Sequence, residues 1–360
     1  MVKGVFQKRI ESLKFFMEEN SIDIFIATPG TNFYYISGID TFRMERLVAI
    51  LVPLKDTPFV ICPGFELERL KDQNNMLDFY PWEEDENPYE LVGKIIKDNI
   101  HSLAFEPTTY FETFMKIREY LPRLEFKDGG EIFSSMRLKK TPEEVQSIQK
   151  AVEITEENID QALKHLHKGM SEDDFKSYLS GQEKLVQFGK TSSYPHSEGG
   201  SNILRENDVV LIDKGDIYDH YHSDITRTGY FGKIDSEFMK IWDIVRQARD
   251  SAIDRAAPEV PCELVDKAAR DIIDIAGYGE YFTHRTGHGI GLDIHEKPYL
   301  VKGNKNTLEP GNVFTIEPGI YLPGKFGIRI EENVLITEDG RKVLSRKPTS
   351  PTIIRNKSEN

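Results

Sequence analysis

The sequence predicts an α/β (α+β) chain in two domains: a small N-terminal mixed α/β domain, then a larger one with an antiparallel sheet covered by helices. Three observations carry this. At 360 residues the chain is too long for one ordinary core. Up to about residue 125, strand-like runs alternate with helix-like ones. Beyond residue 200, two stretches rhyme, Ile212-Asp213-Lys214-Gly215 and Ile316-Glu317-Pro318-Gly319, each closing an apolar run on an acid.

From Val5 to Asn20, residues Phe6, Ile10, Leu13, Phe16 and Met17 recur at helical spacing. Ile22 to Ala27, Arg46 to Pro53 and Pro58 to Ile61 read as strands. Asn87 before Pro88 reads as a helix cap with proline at the first position, opening a helix to about Lys97. Ser102 to Phe105 is a further strand and Tyr110 to Tyr120 a helix. Residues 1–125 form the first domain, and its role is structural, because no ligand-spaced cluster of His, Cys or acids occurs there. The run Glu83-Glu84-Asp85-Glu86 suits a solvated loop, since adjacent acids point in different directions. Residues 126–140 lose periodicity around Gly129, Gly130, Ser134 and Ser135 and read as a linker.

The second domain, 141–360, opens on a capping box. Thr141 pairs with Glu144, and Pro142 starts a helix that Gly169 ends. Glu172 to Phe188 reads as a second helix. Asp208 to Gly215 and His222 to Tyr230 form a strand pair joined by a Gly-containing turn, and Val313 to Glu317 with Ile328 to Glu331 form another. Between the pairs lie helices at Ile234 to Ala257 and Pro261 to Ala276. A short strand falls near Lys342 to Leu344.

Composition narrows the function. Apolar content of 39% and charged content of 29% are those of a soluble globular protein. A net charge of −14 argues against nucleic acid or an anionic membrane as partner. The start of the chain is charged and amphipathic, unlike a signal peptide, and Leu47 to Leu54 is too short to span a bilayer, so a cytoplasmic protein is expected. Cys62 and Cys262 suit buried free thiols. His220 and His222 read as exposed turn residues.

The chemistry gathers on Asp213, Asp224, His288, Glu317 and Glu331, with one acid on each strand of the two pairs. Four acids in a partly dry pocket repel one another by several kcal/mol. Two divalent cations are the economical way to hold them. Two carboxylates can bridge two ions roughly 3.5 Å apart, and a shared water is then acidified into a nucleophile at neutral pH. With one imidazole and no thiolate, Mn(II) or Co(II) suits the site, with Zn(II) or Fe(II) as alternatives. Strand parity sets Arg329 on the face of Glu331 and Asn333, beside a metal-binding carboxylate. His284 and His288 are four apart, but Gly287, Gly289 and Gly291 suit a bent strand, where backbone approaches a ligand, better than a zinc-binding helix.

In the contexts HRTGHGIG, SDITRT, TIEPG and RIEEN, this ordered set resembles the pita-bread metallopeptidases, and among them prolidase and aminopeptidase P, which cleave Xaa-Pro bonds. The likeness spans nearly the whole chain, with strong motifs between Pro195 and Asn333 and a weaker match at Asn32 to Gly38. It implies a pita-bread catalytic domain in which Asp213 binds one ion, His288 and Glu317 the other, and Asp224 and Glu331 both. It implies a catalytic set of His196, His284, His295, Glu317 and Arg329. His196 lies near the scissile bond, His284 and His295 contact substrate and assist proton transfer, and Glu317 shuttles a proton. Tyr321 and Arg329 steady the site. The implied substrate is a small peptide with proline after the scissile bond, and the implied assembly a homodimer.

The chain's modest length favours a dipeptidase over an aminopeptidase acting on longer peptides. A metal-free creatinase type is disfavoured because all five ligands stand; a non-catalytic binding protein is the remaining alternative. Three features depart from the family pattern: Lys214 after Asp213, Ser197-Glu198-Gly199-Gly200 after His196, and a Tyr299 region without an arginine that some relatives carry.

Overall fold

The computed structural model describes residues 4–96, 99–181, 183–195, 197 and 200–355, and the chain divides into two units between Arg137 and Leu138. In the first unit the described residues form a six-stranded mixed sheet. Its order is Asp78–Trp82, Phe59–Pro63, Ala49–Pro53, Ile24–Ala27, Ser102–Phe105, Glu125–Asp128. Ile26, Leu51, Ile61 and Leu103 are fully buried in it, which explains why the central strands are continuous apolar runs. Asn87 caps the helix Pro88–Ile95, its side chain accepting from the N–H groups of Tyr89 and Glu90. The helices Gly4–Glu19 and Phe111–Tyr120 lie where periodicity sets them.

Residues 126–140 are not an irregular linker. Glu125–Asp128 pairs in parallel with Ser102–Phe105, and the helix Gly130–Leu138 follows. Gly129 marks close packing rather than flexibility, because a Cβ there would run into the Phe25 ring.

The second unit begins with the capping box. Thr141 Oγ1 accepts from the Glu144 N–H at 3.3 Å, and the Glu144 carboxylate accepts from the Thr141 N–H at 2.7 Å. The helix is Pro142–Leu163 and stops short of Gly169, because Leu166 and Met170 turn inward and the Gly169 N–H bonds to the Leu204 carbonyl. Nor is Glu172 to Phe188 a single helix. Ser171 caps a five-residue helix, Glu172–Lys176, and Lys184–Phe188 is a strand. That strand lies antiparallel to Asp208–Lys214 with Leu185 opposite Asp213, so a partner far along the chain overrides the local helical pattern.

Asp208–Lys214 also pairs with Ile225–Phe231, setting Thr226 opposite Asp213, and Ile353–Ile354 completes a four-stranded sheet. A five-stranded sheet runs Glu296–Leu300, Gly287–Gly289, Val313–Ile316, Glu332–Thr337, Gly340–Val343. The helices Ser236–Arg255 and Cys262–Ile275 bury Trp242, Val245, Val265 and Ala269 in one core with Phe314 and Ile316.

The second acid-bearing stretch departs from a single strand pair. Val313–Ile316 pairs with Glu332–Thr337, whereas Gly319–Leu322 pairs with Phe326–Arg329. Ile316 faces Glu332 and Gly319 faces Arg329, so Glu317 and Glu331 meet at the junction of two ladders. Interrupting the ladder there frees both carboxylates from strict alternation. Cys62 and Cys262 are buried and free. No described helix is long and apolar enough to cross a membrane.

Candidate metal centre

Asp213 stands on its strand, Asp224 immediately before Ile225–Phe231, and His288 within Gly287–Gly289. Backbone bonds fix the two glutamates: the Glu331 N–H donates to the Thr226 carbonyl at 3.2 Å, and the Glu317 N–H to the Thr286 carbonyl at 2.7 Å. The pairing of the His288 strand with Glu296–Leu300 shifts register between His288 and Gly289. A Cβ on Gly287 or Gly289 would run into the carbonyl of Thr315 or Lys297. The close approach that these glycines permit is thus strand to strand, not strand to ligand as the sequence suggested.

All five side chains converge. Ligand atoms lie within 4.8 Å of one another in three sets: Asp213, Asp224 and Glu331; His288, Glu317 and Glu331; and Asp224, His288 and His295. His288 Nε2 lies 3.4 Å from Glu317 Oε1 and 3.6 Å from Asp224 Oδ2. Its Nδ1 lies 3.1 Å from the Gly289 carbonyl, which assigns the proton to Nδ1 and turns the Nε2 lone pair toward the two carboxylates. Glu331 Oε2 accepts from Thr226 Oγ1 at 2.7 Å, but among the described residues Oε1 is buried without a hydrogen-bond partner. Lone pairs facing lone pairs in a buried pocket are relieved by protons or by cations, and a set rich in carboxylate with one imidazole fits hard-to-borderline divalent ions.

The protonation equilibria say the same. Burial drives the Asp224 and Glu331 carboxyls well above the ordinary range, and the neighbouring acids drive them further. Burial pushes Glu317 up to about 7, with Arg329 pulling the other way. Burial, with His295 beside it, lowers His288 to about 3.

A pH dependence of the metal-free protein follows from these shifts. Raised carboxyls make the folded state bind more protons than the unfolded one, so stability falls as pH rises from the ordinary carboxylate range through their folded pKa values. The depressed His288 acts oppositely, but only below about 6.5, the ordinary imidazole value. Between pH 6.5 and 8 the carboxyls alone remain, and the melting temperature of metal-free protein is expected to fall. Protein saturated with Mn(II) should show a flatter profile across that window. Calorimetry of both forms measures this; a metal-free profile as flat as the loaded one would contradict it.

Arg329 is buried against the cluster. Its guanidinium pairs with Asp213 Oδ2 at 2.5 Å and donates to Thr226 Oγ1 and to the Tyr321 hydroxyl, each at 2.9 Å. Parity brought Arg329 to the right neighbourhood, though the carboxylate it pairs with is Asp213 rather than its strand neighbour. His284 Nδ1 lies 2.8 Å from the Arg285 carbonyl, so Nε2 is the acceptor of the Tyr321 hydroxyl proton at 2.8 Å. His295 is exposed and stands edge-on to His288, ring centres 4.2 Å apart. His196 lies outside the described residues. Among the described residues, Lys214 pairs with Asp216 at 2.5 Å rather than with any of the four acids. His222 is half-buried in a short strand, 3.3 Å from Glu183, and not an exposed turn residue.

A cavity of about 750 Å³ opens onto the cluster, walled also by Glu183, Leu185, Arg285 and Ile294. Glu183 and Leu185 are not legible as site residues while their segment reads as a helix. The Leu185-Val186-Gln187-Phe188 run, a short, mostly apolar stretch with a β-branched and an aromatic residue just before Gly189, is the signal that could have found the strand.

The pattern of metallopeptidase family M24 matches residues 145–338, and that of the creatinase/prolidase N-terminal domain matches residues 9–139. The chain belongs to metallopeptidase family M24. It is a peptidase of the pita-bread fold, in a family that works with divalent metal ions. This M24 chain is 34% identical to a Xaa-Pro dipeptidase of Lactobacillus helveticus, over 96% of its own length and 98% of the relative's. A prolidase from Thermococcus sibiricus superposes with a TM-score of 0.91 at 32% identity, covering 97% of this chain and 99% of that one. An X-Pro aminopeptidase from Thermotoga maritima MSB8 superposes at 0.85 with 30% identity, covering 96% and 99%.

Proposed function

We propose that this M24 peptidase is an Xaa-Pro dipeptidase, a prolidase, using two divalent ions, Mn(II) or Co(II), with Zn(II) or Fe(II) as alternatives. The observation that carries the reading is the convergence of five ligand side chains on the wall of one cavity. Likeness to dipeptidases over nearly the full length of both chains favours a dipeptide substrate; likeness to an aminopeptidase keeps the longer-peptide alternative in play. A cytoplasmic homodimer belongs to the same reading, the dimer resting on the family resemblance.

Asp213, Asp224, His288, Glu317 and Glu331 would hold the ions. A bridging role for Asp224 and Glu331 is supported by their membership of both the Asp213 set and a His288 set. When bound, the ions supply Lewis acidity at the scissile carbonyl and acidify water toward neutrality. The chain's own groups do the rest. Arg329 neutralises and orients Asp213 while its other edge fixes the Tyr321 hydroxyl, which in turn orients His284. Glu317 takes the proton from the attacking water and returns it to the proline nitrogen as the C–N bond breaks. His295 assists that transfer; His284, whose two ring nitrogens are engaged by the Arg285 carbonyl and the Tyr321 hydroxyl, and His196 are assigned to the substrate by resemblance.

Protein loaded with Mn(II) or Co(II) and assayed on an Xaa-Pro dipeptide and an Xaa-Pro tripeptide tests the reading. The dipeptide should give the higher kcat/KM. Faster tripeptide cleavage would transfer the activity to the aminopeptidase class. No cleavage of either, with two ions per chain by elemental analysis, would remove the Xaa-Pro assignment.

A further inference from the structure

Lys214, which departs from the family pattern beside Asp213, is buried, and so are Asp216, Thr155 and Ser223. Successive strand residues point to opposite faces. Asp213 and Gly215 line the cavity, while Lys214 turns to the reverse side, toward the helix Pro142–Leu163. There Lys214 Nζ meets Asp216 Oδ2 at 2.5 Å. Thr155, on that helix, donates its hydroxyl to the same oxygen at 3.0 Å and lies 2.8 Å from Ser223 Oγ. Backbone groups close the ring: the Asp216 N–H donates to Ser223 Oγ at 3.2 Å, and the Ser223 N–H to the Asp216 carbonyl at 3.0 Å. Lys214 follows Asp213 in the chain and Ser223 precedes Asp224, so the set grips the strand pair beside both of its acids. The ladder between these strands ends at Lys214 and Ile225, which leaves Asp224 just beyond it. Where the ladder stops, the Asp216–Ser223 bonds take over.

A buried ion pair adds little net stability, because desolvating two charges offsets most of their attraction. What it does supply is a single geometry, since either charge moved out of place is left uncompensated. We propose that Lys214 and Asp216, tied by Thr155 and Ser223, are positioning residues that set the separation of the Asp213 and Asp224 carboxylates, and thereby the affinity for the ion those two share. The proposal rests on the metal-ligand assignment above and extends it to four residues that line no part of the cavity. Asn333 holds Asp224 from another side, its Oδ1 accepting from the Asp224 N–H at 3.4 Å. Loss of the Lys214 set should therefore loosen the site rather than abolish it.

Titration calorimetry of the metal-free full chain with Mn(II), alongside its thermal unfolding, tests this. The double variant Lys214→Met, Asp216→Leu removes both charges together, so without metal it should melt about as high as wild type. Its affinity for one of the two ions should nevertheless fall roughly ten- to a hundredfold, the usual cost of losing groups that orient a metal ligand. The other ion, on His288 and Glu317, should be affected less. Thr155→Val keeps both charges and cuts only the tie, so a smaller fall at the same ion is expected, and Thr155→Ser should restore wild-type affinity. A double variant that binds both ions as tightly as wild type overturns the proposal. So does a lowered melting temperature with unchanged affinity, which would make the pair a stability element alone. If the double variant does not fold, the Thr155 pair decides: Thr155→Val binding as tightly as Thr155→Ser overturns the proposal. Wild-type protein that takes up no Mn(II) would instead fail the metal reading itself.

Discussion

Replacing Glu331 by Ala is expected to lower kcat/KM on an Xaa-Pro dipeptide on the order of 10³-fold or more, because several kcal/mol of charge stabilisation at the reacting carbonyl go with the ions. Glu331 shares ligand sets with Asp213 on one side and with His288 and Glu317 on the other, so its loss loosens both places at once. Asp224→Ala should behave alike. The same substitutions should not weaken the metal-free fold. Among the described residues Glu331 Oε1 is buried without a partner, and burial and neighbouring acids raise its carboxyl well above the ordinary range, so its ionised form is a cost to the empty site. Glu331→Gln, which keeps the volume and can still accept from Thr226, should be at least as resistant to urea as the wild type without metal. A Glu331→Ala enzyme with wild-type turnover would remove the bridging assignment, and a Glu331→Gln protein that unfolds much more readily would contradict the electrostatic account.

Arg329→Met should have the opposite effect on stability. This buried guanidinium ties Asp213, Thr226 and Tyr321 together, and without it Asp213 loses its partner while the remaining acids lose a nearby cation. Breaking one side of a buried ion pair costs about 3–5 kcal/mol. The loss should grow with pH, because the acids repel only as they ionise. Arg329→Lys should recover little, since an ammonium cannot span Asp213 and Tyr321 with a rigid fork. Urea unfolding of metal-free protein at pH 6 and pH 8 measures this; a variant as stable as wild type at both would refute it. Glu331→Gln and Arg329→Met together ask one question of one cluster: whether its empty state is limited by too much negative charge.

The reach of sequence alone differs between neighbouring segments. Asn87 before Pro88, and Thr141 with Glu144, mark helix starts at their observed places, because a cap is satisfied by N–H groups two or three residues away. Lys184–Phe188 carries no such local closure. Its strand form depends on Asp208–Lys214, and with that pairing came the cavity wall of Glu183 and Leu185. Glycines read by composition mislead in the same way: Gly129 looks like a linker residue, yet it sits where a Cβ would strike the Phe25 ring.

What the sequence by itself determined is the chemistry: which acids, which imidazole, in which order, and hence a family of metal-dependent peptidases. Those identities are legible because ligand type is a property of single residues and their nearest neighbours. Tertiary structure alone decided how the groups meet. The junction of two ladders turns Glu317 and Glu331 together, Arg329 reaches back across 116 positions to Asp213, and Arg285 is set on the cavity wall over the Tyr299 ring. These are contacts between segments far apart in the chain, fixed by strand register and burial, and no local pattern encodes them.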